Sequence, residues 1–215
     1  MAALAGFLAA GAAVCSGAEV LDRVVASIGN VAITSSDVML EYRFERFLDG
    51  EWPAPPPDAA TMDKARERLT YQTLLLHEEN PGPGENSESA KAAADRLVAV
   101  RKEYSHLEAF QQALHDLGMT EADVLARLTQ DELMLRLIDQ RLRPAATPSD
   151  DAVAEYYRST FVPEFEKKNN GAAAPPLSQV ESGIQEILVE RRINELLDEW
   201  IDELKPTSDV RFHSF

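Results

Sequence analysis

The sequence predicts a mainly α-helical fold of about six to seven helices. A small β-hairpin opens the ordered part, a short strand closes it, and a long last helix packs back on the earlier helices. Three observations predict this. Only one stretch near the N-terminus, "DRVVASIGNVAITSSDV", carries a strand signal, nearly every later segment shows apolar residues at helical spacing, and the 12 prolines fall between those segments. An interior proline costs a helix roughly 3 kcal/mol, so their placement marks boundaries.

The hairpin rests on Val24, Val25, Ile28, Val31 and Ile33, in two short β-rich runs around Gly29-Asn30, a dipeptide suited to the positive φ of a tight turn. Ser35 or Ser36 then caps the first helix, with Asp37 in its first turn, where a negative charge meets the helix dipole. Helices are expected near 37–49, 59–78, 88–103, 106–117, 120–142, 148–160 and 177–204. Four serine- or threonine-to-acid pairs precede apolar-periodic segments as capping boxes do: Ser105/Glu108, Thr120/Asp123, Thr147/Asp150 and Ser178/Glu181. Gly118 stops one helix before Thr120 starts the next, and Pro148 follows the Thr147 cap.

Within 120–142, Val124, Leu128, Leu135, Ile138 and Leu142 form one stripe that Leu125, Leu133 and Leu137 widen, as expected of a core helix. Val180, Ile184, Ile187 and Leu188, then Ile193, Leu197, Trp200, Ile201 and Leu204, extend the apolar face of the last helix over roughly 40 Å. Only the earlier helices can cover it. The closing "DVRFHSF" can add an edge strand beside the hairpin.

The length of 215 residues fits one domain, or one domain with a satellite, and can bury a proper core. With 37 acidic against 21 basic residues, the formal net charge is −16. Nucleic acid and anionic membrane are therefore not expected as partners, because phosphate contact needs a basic face.

Residues 1–18, "MAALAGFLAAGAAVCSGA", are uncharged and end in small residues, which predicts a secretory signal cut after Ala18. An exported, cleaved chain is expected over a membrane-anchored one. Cleavage would remove Cys15, the single cysteine, and with it any disulfide, thiol nucleophile or cysteine-based metal site. Export without cysteine suits a bacterial envelope compartment.

Enzyme signatures are thin: there is no Gly-rich phosphate loop and no G-x-S-x-G elbow. Of the four histidines, His77, His106, His115 and His213, the middle pair lie nine apart on one expected helix and point to opposite sides, so no metal site is expected. Acidic pairs such as Glu78-Glu79 and Asp150-Asp151 sit at helix ends, where exposed charge is usual. No catalytic residue, metal, nucleotide or cofactor is predicted.

The first helix has surplus apolar character. Leu40, Phe44 and Phe47 share a core stripe, whereas Met39 and Tyr42 fall away from it, and Trp52 lies just beyond. Either a second element covers these residues or they line a groove. Met39, Tyr42, Phe47 and Trp52 are the candidate client-binding residues, since methionine and aromatic side chains suit adaptable binding of apolar peptides. "WPAPPPD" reads as a stiff spacer.

"DRVVASIGNVAITSSDVMLEYRF", "TPSDDAVAEYYRSTF" and "PLSQVESGIQEILVERRINELLDEWIDEL" followed by "DVRF" together resemble the SurA family of periplasmic chaperones and peptidyl-prolyl isomerases. The similarity spans most of the chain from Glu19 to Phe212 and is strongest at both ends. It implies one chaperone module over 19–215, with the family's parvulin isomerase domain inserted before the last helix. Here that point is a joint at 161–176, and its stretch from Glu166 to Pro176 offers only polar, Gly, Ala and Pro residues, so the isomerase domain is expected to be absent.

The resemblance implies an ATP-independent chaperone that binds unfolded outer-membrane or other exported proteins in the periplasm through an apolar groove, without isomerase activity. The alternatives are a prolyl isomerase with an unrecognised site and a structural subunit of an envelope complex. Exchange of the long last helix would also permit a homodimer.

Overall fold

The structure is a computed structural model that describes residues 22–78 and 86–215. The expected signal segment with Cys15, and Pro81 and Pro83 of the second proline cluster, lie outside the described residues, as does Glu79.

β1 (Val24–Ile28) and β2 (Val31–Thr34) pair antiparallel through the Gly29-Asn30 turn, in which Gly29 alone adopts a positive φ, 54°. A hairpin turn with glycine at its first central position has this pattern. β3 (Val210–Phe212) pairs antiparallel with the other side of β1, so the strand order is β2-β1-β3 and the C-terminal strand is an edge, as expected. The His213 N–H extends the pairing by donating to the Val25 carbonyl at 2.9 Å. Val25, Ala26, Ile28 and Ile33 are buried against the helices.

The helices follow in order: α1 (Ser35–Leu48), α2 (Ala59–Glu78), α3 (Asn86–Glu103), α4 (Leu107–Leu117), α5 (Glu121–Leu142), α6 (Asp150–Tyr156), α7 (Val162–Lys168) and α8 (Leu177–Thr207). Among the expected capping boxes, Thr120/Asp123 forms in full at the start of α5. Gly118 ends α4 at φ 72°, with its N–H donating to the His115 carbonyl and that of Met119 to the Leu114 carbonyl, the double closure of a Schellman cap.

The other caps shift. Thr34, not Ser35 or Ser36, caps α1 in a complete box with Asp37, while the Ser35 hydroxyl and Ser36 N–H donate to Asp22. His106 caps α4 through Nδ1 in place of Ser105, and Ser149 caps α6 in place of Thr147. Ser178 lies inside α8, which starts after an extended Pro176 with no side-chain cap. A serine-to-acid spacing offers a cap at several registers. The residue whose backbone is extended at the first turn becomes the cap.

The helix expected to end near 160 continues to Lys168. A π turn at Tyr157–Phe161 joins α6 to α7, and Pro163 sits just past it. The wider turn sets the preceding carbonyls apart where the proline ring would crowd a regular helix. Tyr157, Phe161 and Phe165 stack along this run at 5.8 and 5.9 Å between centroids. Positive φ at Asn170 and Gly171 then turns the chain, so the joint predicted at 161–176 contracts to 169–176. Pro206 likewise lies inside α8, in its last turn, where few hydrogen bonds remain to be lost.

Three apolar clusters hold the fold. Phe44 and Phe47 of α1 pack with Leu97 of α3, Phe110 and Leu114 of α4 and Leu128 of α5; a second cluster lies under the sheet around Val38 and Leu74. In the third, Trp200 and Ile201 of α8 meet Leu75 of α2 and Met134 of α5. At 31 residues α8 spans roughly 46 Å, and this last cluster docks its C-terminal half onto the N-terminal helices.

Candidate functional site

Of the four candidate client-binding residues, the structure sets Phe47 apart from Met39, Tyr42 and Trp52. Phe47 is fully buried, with the Phe44, Tyr104 and Phe110 rings around it. Tyr42 is also buried and its hydroxyl donates to the Pro55 carbonyl at 2.8 Å. Trp52 is half-buried: its indole faces the Asp116 carboxylate at 3.4 Å and the Arg43 guanidinium lies over its ring at 5.2 Å. Met39, 36% exposed, remains at the surface.

Met39, Tyr42 and Trp52 do line one hollow of about 530 Å³, yet its other wall is Pro53–Pro57. The proline segment expected as a spacer thus lies against α1 as the covering element. Stiff backbone needs little further ordering to hold that position.

A larger cleft, of about 640 Å³, opens on another side of α1. Its apolar surface comes from Phe44 and Leu48 of α1, Tyr71 and Leu75 of α2, Met134, Leu135 and Ile138 of α5, and Leu197 and Ile201 of α8. A second hollow shares Leu135, Ile138 and Leu197 and adds Ile193, so the apolar surface continues as a groove between α5 and α8. Leu135 is 57% exposed there, contrary to its expected place in the core stripe; Ile187, further along α8, is also exposed. α8 docks on α5 near Met134 but leaves Leu135 uncovered, one residue and about 100° further round the helix.

Charge rings this surface. Glu41, 5% exposed, pairs with Arg127 and lies 3.6 Å from Arg68, which also pairs with Glu45. The Arg127 guanidinium rests over the Phe44 ring at 4.3 Å. Arg96 of α3 reaches Asp131 and Glu132 of α5 at 3.9 and 3.8 Å. Burial lowers the pKa of Arg127 and raises that of Asp131, because each charged form loses water, while nearby charges of opposite sign act against both shifts.

The cleft lining contains no Ser, Thr, Cys or His, and its guanidinium groups are engaged by carboxylates. His77, His106 and His115 are exposed at helix ends, and among the described residues no group of three His, Cys, Asp or Glu side chains could hold a metal ion. No helix among the described residues is long and apolar enough to cross a membrane. What the cleft offers chemically is an apolar bed within a fixed charged frame.

Sequence reasoning missed this groove. One signal pointed to it: the α5 stripe is wider than a single neighbouring helix can cover, and exposed Leu135 is where the cover stops. Neither the known protein-family models nor the curated proteins yield a match to this chain.

Proposed function

We propose that this protein is an ATP-independent chaperone of the bacterial periplasm that shields apolar segments of unfolded exported or outer-membrane proteins, without isomerase activity. The observation that carries the reading is the open groove between α5 and α8, floored by Leu135, Ile138, Ile193 and Leu197. A cleft of about 640 Å³ lies within the usual range for ligand sites, roughly 300–1,000 Å³, and accepts a few side chains of an extended segment. Such a grip has modest affinity, so a client can leave by folding, without a nucleotide step.

The resemblance of both chain ends to the SurA family supports the reading, as does the export signal read in residues 1–18. The apolar surface that runs on from the cleft into the neighbouring hollow supports a binding role.

Aggregation of a denatured outer-membrane protein diluted from urea tests the proposal. The purified protein is expected to suppress light scattering near equimolar ratios, and Leu135→Ser to weaken that suppression severalfold. No suppression across several clients, or protease-coupled proline isomerisation well above background, overturns it.

A further inference from the structure

We infer that the groove selects apolar segments bearing lysine or arginine, a preference set by Glu67 of α2 and Asp198 of α8. The inference rests on the proposed peptide-binding reading and names the chemistry of the occupant. Each arginine lining the cleft is already met by acids of the protein: Arg46 by Asp49 and Glu51, Arg68 by Glu41 and Glu45, Arg96 by Asp131 and Glu132. Their charges are not available to a client carboxylate without breaking an internal pair.

Among the lining side chains, acids outnumber bases six to four. The surplus is localised. Glu67 and Asp198 are exposed, line the cleft from two different helices, and make no ion pair among the described residues. Lys64, one turn before Glu67, is the single cationic lining residue in the same condition.

Leu197 and Ile201 of the same helix as Asp198 line the cleft with these carboxylates. A lysine or arginine stem can cover such apolar surface while its head stays wet and reaches a carboxylate. A client aspartate or glutamate has no comparable stem and meets two such carboxylates against the single lysine, Lys64. Exposed pairs are weak and salt-sensitive, so the two carboxylates together give roughly a threefold to tenfold preference at low salt.

Three fluorescein-labelled peptides with one shared Leu/Phe core, flanked by two Lys, two Gln or two Asp, decide this by anisotropy with the full chain. The Lys peptide is expected to bind tightest and the Asp peptide weakest, with the differences collapsing at high salt. E67Q combined with D198N should erase the advantage of the Lys peptide over the Gln peptide, read as the ratio of their affinities for the same variant. E166Q combined with E181Q, which makes the same change in net charge away from the cleft, should preserve it.

Equal binding of Lys and Asp peptides overturns the inference. So does an Lys advantage that survives E67Q/D198N, or one lost equally in the control pair. Failure of all three peptides to bind overturns the chaperone reading and this inference with it, whereas charge-blind binding removes only the inference.

Discussion

Glu41 of α1 and Arg127 of α5 form an ion pair at the inner edge of the cleft, with the Glu41 side chain 6% and the Arg127 side chain 24% exposed. The pair joins the hairpin-bearing end of the chain to its central helix, and Arg127 also covers Phe44. Removing Arg127 takes the nearer counterion from the buried Glu41 carboxylate and leaves it only Arg68, 3.6 Å away. Arg127→Ala is therefore expected to cost about 3 kcal/mol, at the lower end for buried pairs because the guanidinium keeps some water. Glu41→Gln combined with Arg127→Met should cost less than Arg127→Ala alone. Urea unfolding of the wild type and the two variants checks both statements, and a double variant destabilised as much as Arg127→Ala or more would contradict them.

Phe47 and Met39 occupy the same helix but opposite situations. Phe47→Ala opens a void among three aromatic rings and is expected to cost about 3–5 kcal/mol. Met39→Ala, at the surface beside the proline segment, should stay within about 0.5 kcal/mol. Thermal unfolding of the two variants separates them.

Leu135 and Ile184 give the corresponding contrast for binding. Leu135→Ser should leave stability within about 0.5 kcal/mol, since the side chain is largely wet already, yet weaken client binding. Ile184 is buried on α8, and Ile184→Ala is expected to cost about 2–5 kcal/mol. A Leu135→Ser variant that unfolds like a core mutant would place the residue in the interior.

Acid sensitivity follows from the caps. Thr34, Ser35 and Ser36 favour the charged form of Asp22 and hold its pKa at about 2 against an ordinary 3.8. The Thr120 side chain, with its backbone N–H, lowers the pKa of Asp123 in the α5 box. A depressed carboxylate stabilises the folded state above its unfolded pKa, and the contribution disappears as pH falls through the folded value. Asp22→Asn should thus be less stable than wild type at pH 5, with the gap closing towards pH 2. Urea midpoints at the two pH values check this.

Loss of the Thr120 hydroxyl probes the same device directly. Thr120→Ala should cost about 1 kcal/mol, the usual worth of a threonine cap. Because the Schellman closure at Gly118 lies next to it, the loss should appear in amide exchange at the α4–α5 corner before the rest of the fold.

The local signals read well because they involve near neighbours. Gly29 and Gly118 take the positive φ that their positions called for, and Thr120/Asp123 forms its box three residues apart. Less was legible where two rules competed. Thr34 displaced Ser35 and Ser36 as the cap because the last residue of β2 is already extended and Asp22 engages the two serines. Pro163 marked an expected helix end, yet the π turn before it lets the backbone continue. The candidate binding residues were the least legible. Tyr42 is covered by a segment 13 positions away whose resting place has no signature in the sequence, and Leu135 has the same apolar periodicity as its buried neighbours.

From its residues alone this chain determined the kind and order of its elements: a hairpin, successive helices, a long final helix and an edge strand. Hydrophobic period, turn chemistry and caps act over a few positions and need no distant partner. Tertiary structure alone decided which apolar side chains stay open to water. Periodicity shows that a helix face is apolar, but whether another helix covers it depends on docking, and α8 meets α5 beside Met134 while leaving Leu135 in an open groove.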